Sequence, residues 1–175
     1  RTDGRGFQAI ITPSGGYRNP NGSHERVKWA DGNERSDYEL YMNGVEVFSF
    51  TISEVPAMIN EFMEDSRIGR DSFDAYVLHQ ANCYILNQVA KRSRLPKDKL
   101  PISMDRYGNT SVTSIPLTLC DRYGALNEDG EKRILSCGFG VGLSWGIAAF
   151  TVNQKEILPI VETDDFFKEG AVSHD

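Results

Sequence analysis

The sequence predicts an α/β domain, a mixed β-sheet with flanking helices. Short apolar runs of strand length, such as Tyr76-Val77-Leu78 and Ile134-Leu135-Ser136-Cys137, alternate with longer segments whose apolar residues recur at helical spacing. The pattern closes on two strands separated only by a glycine-rich turn. That pair must be antiparallel, whereas strands joined through helices run parallel, so the sheet is mixed.

Taken in order, Phe7 through Thr12 reads as a first strand, closed by Pro13 and the Gly15-Gly16 turn. Residues 13–37, rich in Gly, Asn, Ser and Asp, read as a long surface excursion. Phe48, Ile52, Val55, Ile59 and Phe62 then form one apolar stripe of a long helix. Pro56 lies inside it and is expected to kink or divide it. Tyr76-Val77-Leu78 is a buried strand leading into His79. A second helix follows Asn82, burying Ile85, Leu86, Val89 and Ala90 and stopping before Pro96. Ile102-Ser103-Met104 reads as a short strand. Val112, Ile115, Leu119 and Tyr123 mark a third helix, with Gly124 as its stop. Ile134 through Cys137 and Trp145 through Val152 form the closing hairpin. No internal repeat or low-complexity segment interrupts the order.

The 175 residues suit one domain with a substantial core. No apolar run is long enough to span a bilayer, and no signal peptide is evident, so a cytoplasmic protein without a membrane partner is expected. The chain opens on Arg1 in mid-pattern and reads as a piece of a longer protein. Its three cysteines, Cys83, Cys120 and Cys137, have no close pairing of the CxxC kind. That argues against a disulfide framework or a metal site. The net charge of −6 makes general nucleic-acid binding an unsuitable function. Charge is unevenly spread. Residues 153–175 carry six acidic side chains against two lysines, whereas Lys91, Arg92, Arg94, Lys97 and Lys99 form a basic cluster broken only by Asp98. Such a patch suits a phosphate-bearing ligand or an acidic partner.

Three polar segments carry the candidate chemistry: His79-Gln80-Ala81-Asn82, Tyr107-Gly108-Asn109-Thr110-Ser111, and Gly138 through Gly146. His79 and Asn109 each follow a predicted strand and precede a helix, at the sheet edge where α/β proteins bind ligands. The glycine-rich turn is no dinucleotide loop, because Leu143 and Trp145 stand where a third glycine is needed. Asn109 is equally suited to capping a helix. Cys83 falls in the helix after His79 and is not expected to be a nucleophile; none of the three cysteines is expected at a helix N-terminus. His24 and His174 read as surface residues.

Together, HQAN, GNTS and GFGVGLSWG resemble the C-terminal half of the 3-oxoacyl-(acyl-carrier-protein) synthase III family, over about Thr2 to Val152. The resemblance implies a thiolase-like half-fold over residues 1–152, with residues 153–175 as an acidic extension. It implies decarboxylative condensation of an acyl-CoA primer with a malonyl thioester on acyl carrier protein, without a bound cofactor or metal. His79 and Asn109 become the catalytic pair, two neutral donors aimed at the enolate oxygen. Related enzymes that elongate longer chains use a second histidine where this chain has Asn109. The family also implies substrate-binding roles for Gly44, Phe48, Asn82, Phe139, Gly140 and Val141. Phe139 would line the acyl pocket, and the Val141 backbone N–H would hold an oxyanion.

By the same resemblance the nucleophilic cysteine belongs to an N-terminal half, the complete enzyme is a homodimer, and this chain alone is expected to be inactive. The family often has arginine where this chain has Tyr84 and lysine where it has Ser49. That leaves Lys91 and Arg92 as the expected carrier-docking charges. Acyl transfer to an oxygen or nitrogen acceptor, and a noncatalytic binding domain, remain alternatives.

Overall fold

A computed structural model describes residues 1–126 and 129–165 of the chain. His174, read from the sequence as a surface residue, lies outside the described residues. The central sheet has three strands in the order β5 (Ala75–Leu78), β6 (Glu131–Gly140), β7 (Ser144–Asn153). β5 runs parallel to β6, with Tyr76 opposite Leu135, and β6 runs antiparallel to β7, with Phe139 opposite Trp145. The sheet is therefore mixed.

One face of the sheet carries α1 (Gly44–Ser66) and α2 (Cys83–Arg92). Strand residues alternate between faces, so Tyr76, Leu78, Leu135 and Cys137 turn to this side. They join Phe50, Val55, Ile59, Leu86 and Val89 in the larger core cluster. A smaller cluster on the other face gathers Ala75, Val77 and Ile134 with Tyr123 of α4 (Ser114–Tyr123). Removing each of the larger aliphatic and phenylalanine side chains among them from water contributes about 1.5–3 kcal/mol.

α1 is capped by Asn43, whose side chain accepts the Glu46 N–H, and runs unbroken through Pro56. Proline removes one rung, the donor to the Ile52 carbonyl, and the helix is not divided. The remaining 22 residues and the burial of Pro56 itself hold it together. α2 begins where the sequence places it, with the Asn82 side chain accepting the Ile85 N–H at 2.7 Å. Its basic last turn, Lys91 and Arg92, meets the negative end of the helix dipole.

Three expectations are corrected. Phe7 through Thr12 is not one strand: a 3₁₀ turn spans Gly4–Ala9, begun by Asp3 accepting the Arg5 N–H. Only β1 (Ile10–Ile11) is extended, paired with β4 (Tyr41–Met42). Ile102 through Met104 is not a strand either. The Ser103 N–H donates to the buried Gln80 side chain rather than to a ladder, and α3 (Met104–Tyr107) begins at once. Val112, assigned to the third helix stripe, sits in a 3₁₀ turn and is 88% exposed, so that stripe starts at Ile115.

The excursion over residues 13–37 holds the short hairpin β2 (Val27–Lys28) and β3 (Glu34–Arg35). Gly124 closes α4 as expected, and for a second reason as well. A Cβ there would lie 2.3 Å from the Leu158 carbonyl oxygen, because the segment after β7 crosses back over the helix end. Ile157 packs on the smaller cluster, whereas Leu158 is 71% exposed.

Candidate active site

A cavity of about 230 Å³ opens between α1, the start of α2 and the ends of β5 and β6. His79, Asn109, Asn82, Gly44, Phe48, Phe139 and Gly140 line it, with Ile10, Met42, Val47, Phe50, Thr51, Ala81 and Ile85 completing a largely apolar wall. Seven of the sequence-assigned residues thus meet in one place. Val141 does not line the cavity: it sits 66% exposed at the tip of the β6–β7 turn. Lys91 and Arg92 are exposed at the far end of α2, about 15 Å along the helix from its start.

His79 is the first residue beyond β5. Its backbone N–H extends the parallel ladder by donating to the Cys137 carbonyl at 2.9 Å. The half-buried ring places Nδ1 2.7 Å from the Ser114 hydroxyl, and the Phe139 ring meets it edge-on at 5.2 Å. Burial lowers the pKa of His79 below its ordinary 6.5, opposed by a hydrogen bond to the Ser111 backbone. The ring is therefore held toward its neutral form, which offers one N–H donor and one acceptor.

Asn109 lies in a turn that follows α3. Gly108 adopts φ 68° and ψ −160°, a conformation open essentially to glycine. Ser111 is left-handed at φ 53°, and its backbone N–H donates to Asn109 Oδ1 at 3.0 Å. The side-chain oxygen is thus engaged locally, and the amide NH₂ remains as a donor at the cavity wall. The capping alternative for Asn109 is realised in this reduced form, an Asx turn rather than a helix cap.

The cavity is lined by no cysteine. Cys137 is buried in β6, where desolvation pushes its thiol up to about 12. Cys83 corrects the sequence reading: it is the exposed first residue of α2, at a helix N-terminus, with its sulfur directed at Met104. Among the described residues, no group of His, Cys, Asp or Glu side chains is placed to hold a metal ion. No described helix is long and apolar enough to cross a membrane.

Sequence reasoning missed Ser114, Phe50 and Met42. Ser114 carried one usable signal, a small polar residue where the third helix turns inward five positions after Asn109. Phe50 stands off the assigned stripe, and Met42 depends on the β1–β4 pairing, for which the sequence offers no periodic sign.

The α/β core with its mixed sheet and flanking helices is a thiolase-like half-fold. The chain belongs to the family described as 3-oxoacyl-[acyl-carrier-protein (ACP)] synthase III C terminal, whose model matches residues 63–152. It is similar to beta-ketoacyl-[acyl-carrier-protein] synthase III of Streptococcus gordonii, 41% identical over 121 residues, which cover 68% of this chain and 37% of that protein. The corresponding protein of Streptococcus equi subsp. equi is 36% identical over 147 residues, 83% of this chain and 43% of its own length.

Among solved structures, a 3-oxoacyl-(acyl-carrier protein) synthase from Burkholderia xenovorans LB400 superposes with a TM-score of 0.80 at 33% identity. It covers 93% of this chain and 46% of that one. A 3-oxoacyl-(acyl-carrier-protein) synthase III structure gives 0.75 at 37% identity, over 85% and 45%. The chain spans less than half the length of these relatives.

Proposed function

We propose that this chain supplies the decarboxylation site of an acyltransferase that condenses an acyl-CoA primer with a malonyl thioester carried on acyl carrier protein. The observation that carries the reading is the convergence on one apolar cavity of His79, an imidazole held toward its neutral form, and Asn109, whose amide NH₂ is left over by its Asx turn. When malonyl loses carbon dioxide, the electrons of the broken C–C bond pass into the thioester and charge gathers on its oxygen. Two neutral donors at that oxygen stabilise the enolate more than the ground state. The apolar wall of Phe48, Phe50, Ile85 and Phe139 lowers the dielectric around the half-buried His79 ring, while Asn109 stands at the exposed rim.

The enolate carbon then attacks an acyl-cysteine, forming the new C–C bond and expelling the thiolate. The reading takes that cysteine from the part of the relatives' length that this chain does not span, because none of its own thiols lines the cavity. Residues 1–152 form the family unit in this reading and 153–175 an extension, with no bound cofactor. Partners would be acyl carrier protein, coenzyme A thioesters and a second subunit.

The test is labelled malonyl thioester given to the full-length protein and to its His79→Ala and Asn109→Ala variants. Carbon dioxide release should fall while acylation of the cysteine persists. Release at the parent rate from either variant overturns the role of that residue.

A further inference from the structure

Behind the cavity wall lies a buried polar chain that none of the foregoing uses. The Thr118 hydroxyl donates to the Ser114 carbonyl at 2.6 Å, since a carbonyl only accepts. Its single proton is spent there, so the Thr118 oxygen accepts from the Ser103 hydroxyl, also at 2.6 Å. The Ser103 backbone N–H donates to Gln80 Oε1, and Gln80 Nε2 donates to the Leu78 carbonyl. Finally, the Gln80 backbone N–H donates to the Ser114 hydroxyl oxygen at 3.3 Å. One hydroxyl proton is left to place, that of Ser114. The remaining polar atom in its reach among the described residues is His79 Nδ1, at 2.7 Å.

We propose that Ser114 is a positioning residue for His79: its hydroxyl donates to Nδ1 and keeps the ring proton on Nε2, the nitrogen left toward the cavity. Ser114 is 1% exposed and does not line the cavity, so it acts on substrate only through the imidazole. The other tautomer would strand the Ser114 proton in a buried setting, at the cost of an unmade hydrogen bond. The Ser111 backbone is the ring's other hydrogen-bond partner, and with Nδ1 taken by the Ser114 hydroxyl it is left to the Nε2–H side. The lining carries no other titratable side chain that could reassign the ring proton. Ser103, Thr118 and Gln80 are 1%, 0% and 1% exposed, so the chain is shielded from water that could substitute for the serine. A neutral imidazole with its proton on Nε2 is the donor that the proposed function requires, and the inference rests on that reading.

The experiment uses the whole chain with ¹⁵N-labelled histidine. Long-range ring correlations near neutral pH report which nitrogen is pyrrole-like, with His79→Gln assigning the signals against those of His24 and His174. The parent should show a pyrrole-type Nε2 and a pyridine-type Nδ1. In Ser114→Ala the ratio of the Nε2–H to the Nδ1–H tautomer should fall about 5-fold, the worth of one ordinary hydrogen bond. Ser114→Thr, which keeps the hydroxyl, should restore it. If circular dichroism shows the alanine variant unfolded, Ser114→Cys takes its place, holding the volume and weakening the donor. A dominant Nδ1–H tautomer in the parent overturns the proposal, as does an unchanged ratio in the folded alanine or cysteine variant. These spectra need neither substrate nor thiol. The predicted tautomer together with normal decarboxylation by His79→Ala would sink the functional reading and leave this one standing.

Discussion

Tyr84 stacks on Phe48, with ring centroids 5.6 Å apart and planes inclined by 22°. Phe48 lines the cavity and Tyr84 is 62% exposed, so the pair joins the interior wall to the outer surface through two aromatic faces. No cation stands at either Tyr84 or Ser49. An acidic partner approaching this rim would find its nearest α2 charges at Lys91 and Arg92. Reversal of both to Glu in the full-length protein should slow association with acyl carrier protein and flatten its salt dependence. Stopped-flow association across a salt series checks this; identical slopes remove the cluster from the docking surface.

Replacing His79 or Asn109 by Ala should reduce decarboxylation by about 10²–10³-fold, the usual loss for one donor to a developing oxyanion. The Asn109 variant has a companion that separates chemistry from folding. Asn109→Asp retains the acceptor for the Ser111 N–H and deletes the donor, so it should fold normally and still fail to release carbon dioxide.

Asn82 both lines the cavity and caps α2. Asn82→Ala should cost about 1 kcal/mol of stability, read from the midpoint of urea unfolding at constant slope, whereas Asn82→Asp should cost much less. A neutral alanine variant would show that the cap is dispensable.

Gly108→Ala isolates backbone strain. A Cβ there meets nothing within 4 Å, so crowding is absent and the positive φ alone opposes the substitution. A loss of about 1–3 kcal/mol is expected. Because the Asn109 turn starts at this residue, decarboxylation should decline along with stability.

The depressed pKa of His79 fixes a direction for pH. Below 6.5 the unfolded ring takes up a proton that the folded ring still refuses, so the unfolded state binds more protons. Stability is therefore full above that value and declines as pH falls toward the folded pKa, then levels off. Thermal unfolding of the chain across pH 5–8 should show this slope, and His79→Gln should remove its contribution. An acid limb unchanged in the glutamine variant would assign the slope elsewhere.

Much of this arrangement was legible in the sequence because its causes are local. The run Tyr76-Val77-Leu78 is buried on both faces and could be little else but a strand, and Asn82 announces α2 by its own capping chemistry. HQAN and GNTS marked the cavity because the residues of these segments that line it sit in short contiguous runs. What stayed hidden depends on distant partners. Ile102 through Met104 has strand-like residues, but its N–H is claimed by Gln80, 23 positions earlier. Ser114 reaches His79 across 35 positions, and nothing in either local pattern encodes that meeting. Val112 has helical spacing and faces solvent, since periodicity cannot say where a helix begins.

The two donors of the cavity are hung from different supports. The His79 amide completes the β5–β6 ladder through the Cys137 carbonyl, amid strand residues that are 0% exposed. Asn109 is held by an Asx turn and a glycine, both at the surface. Amide exchange at 79 must then wait for the sheet to part, whereas the 108–111 turn can open and reclose many times in that interval. Of the two walls, the asparagine turn is the one expected to yield while the histidine stays in place.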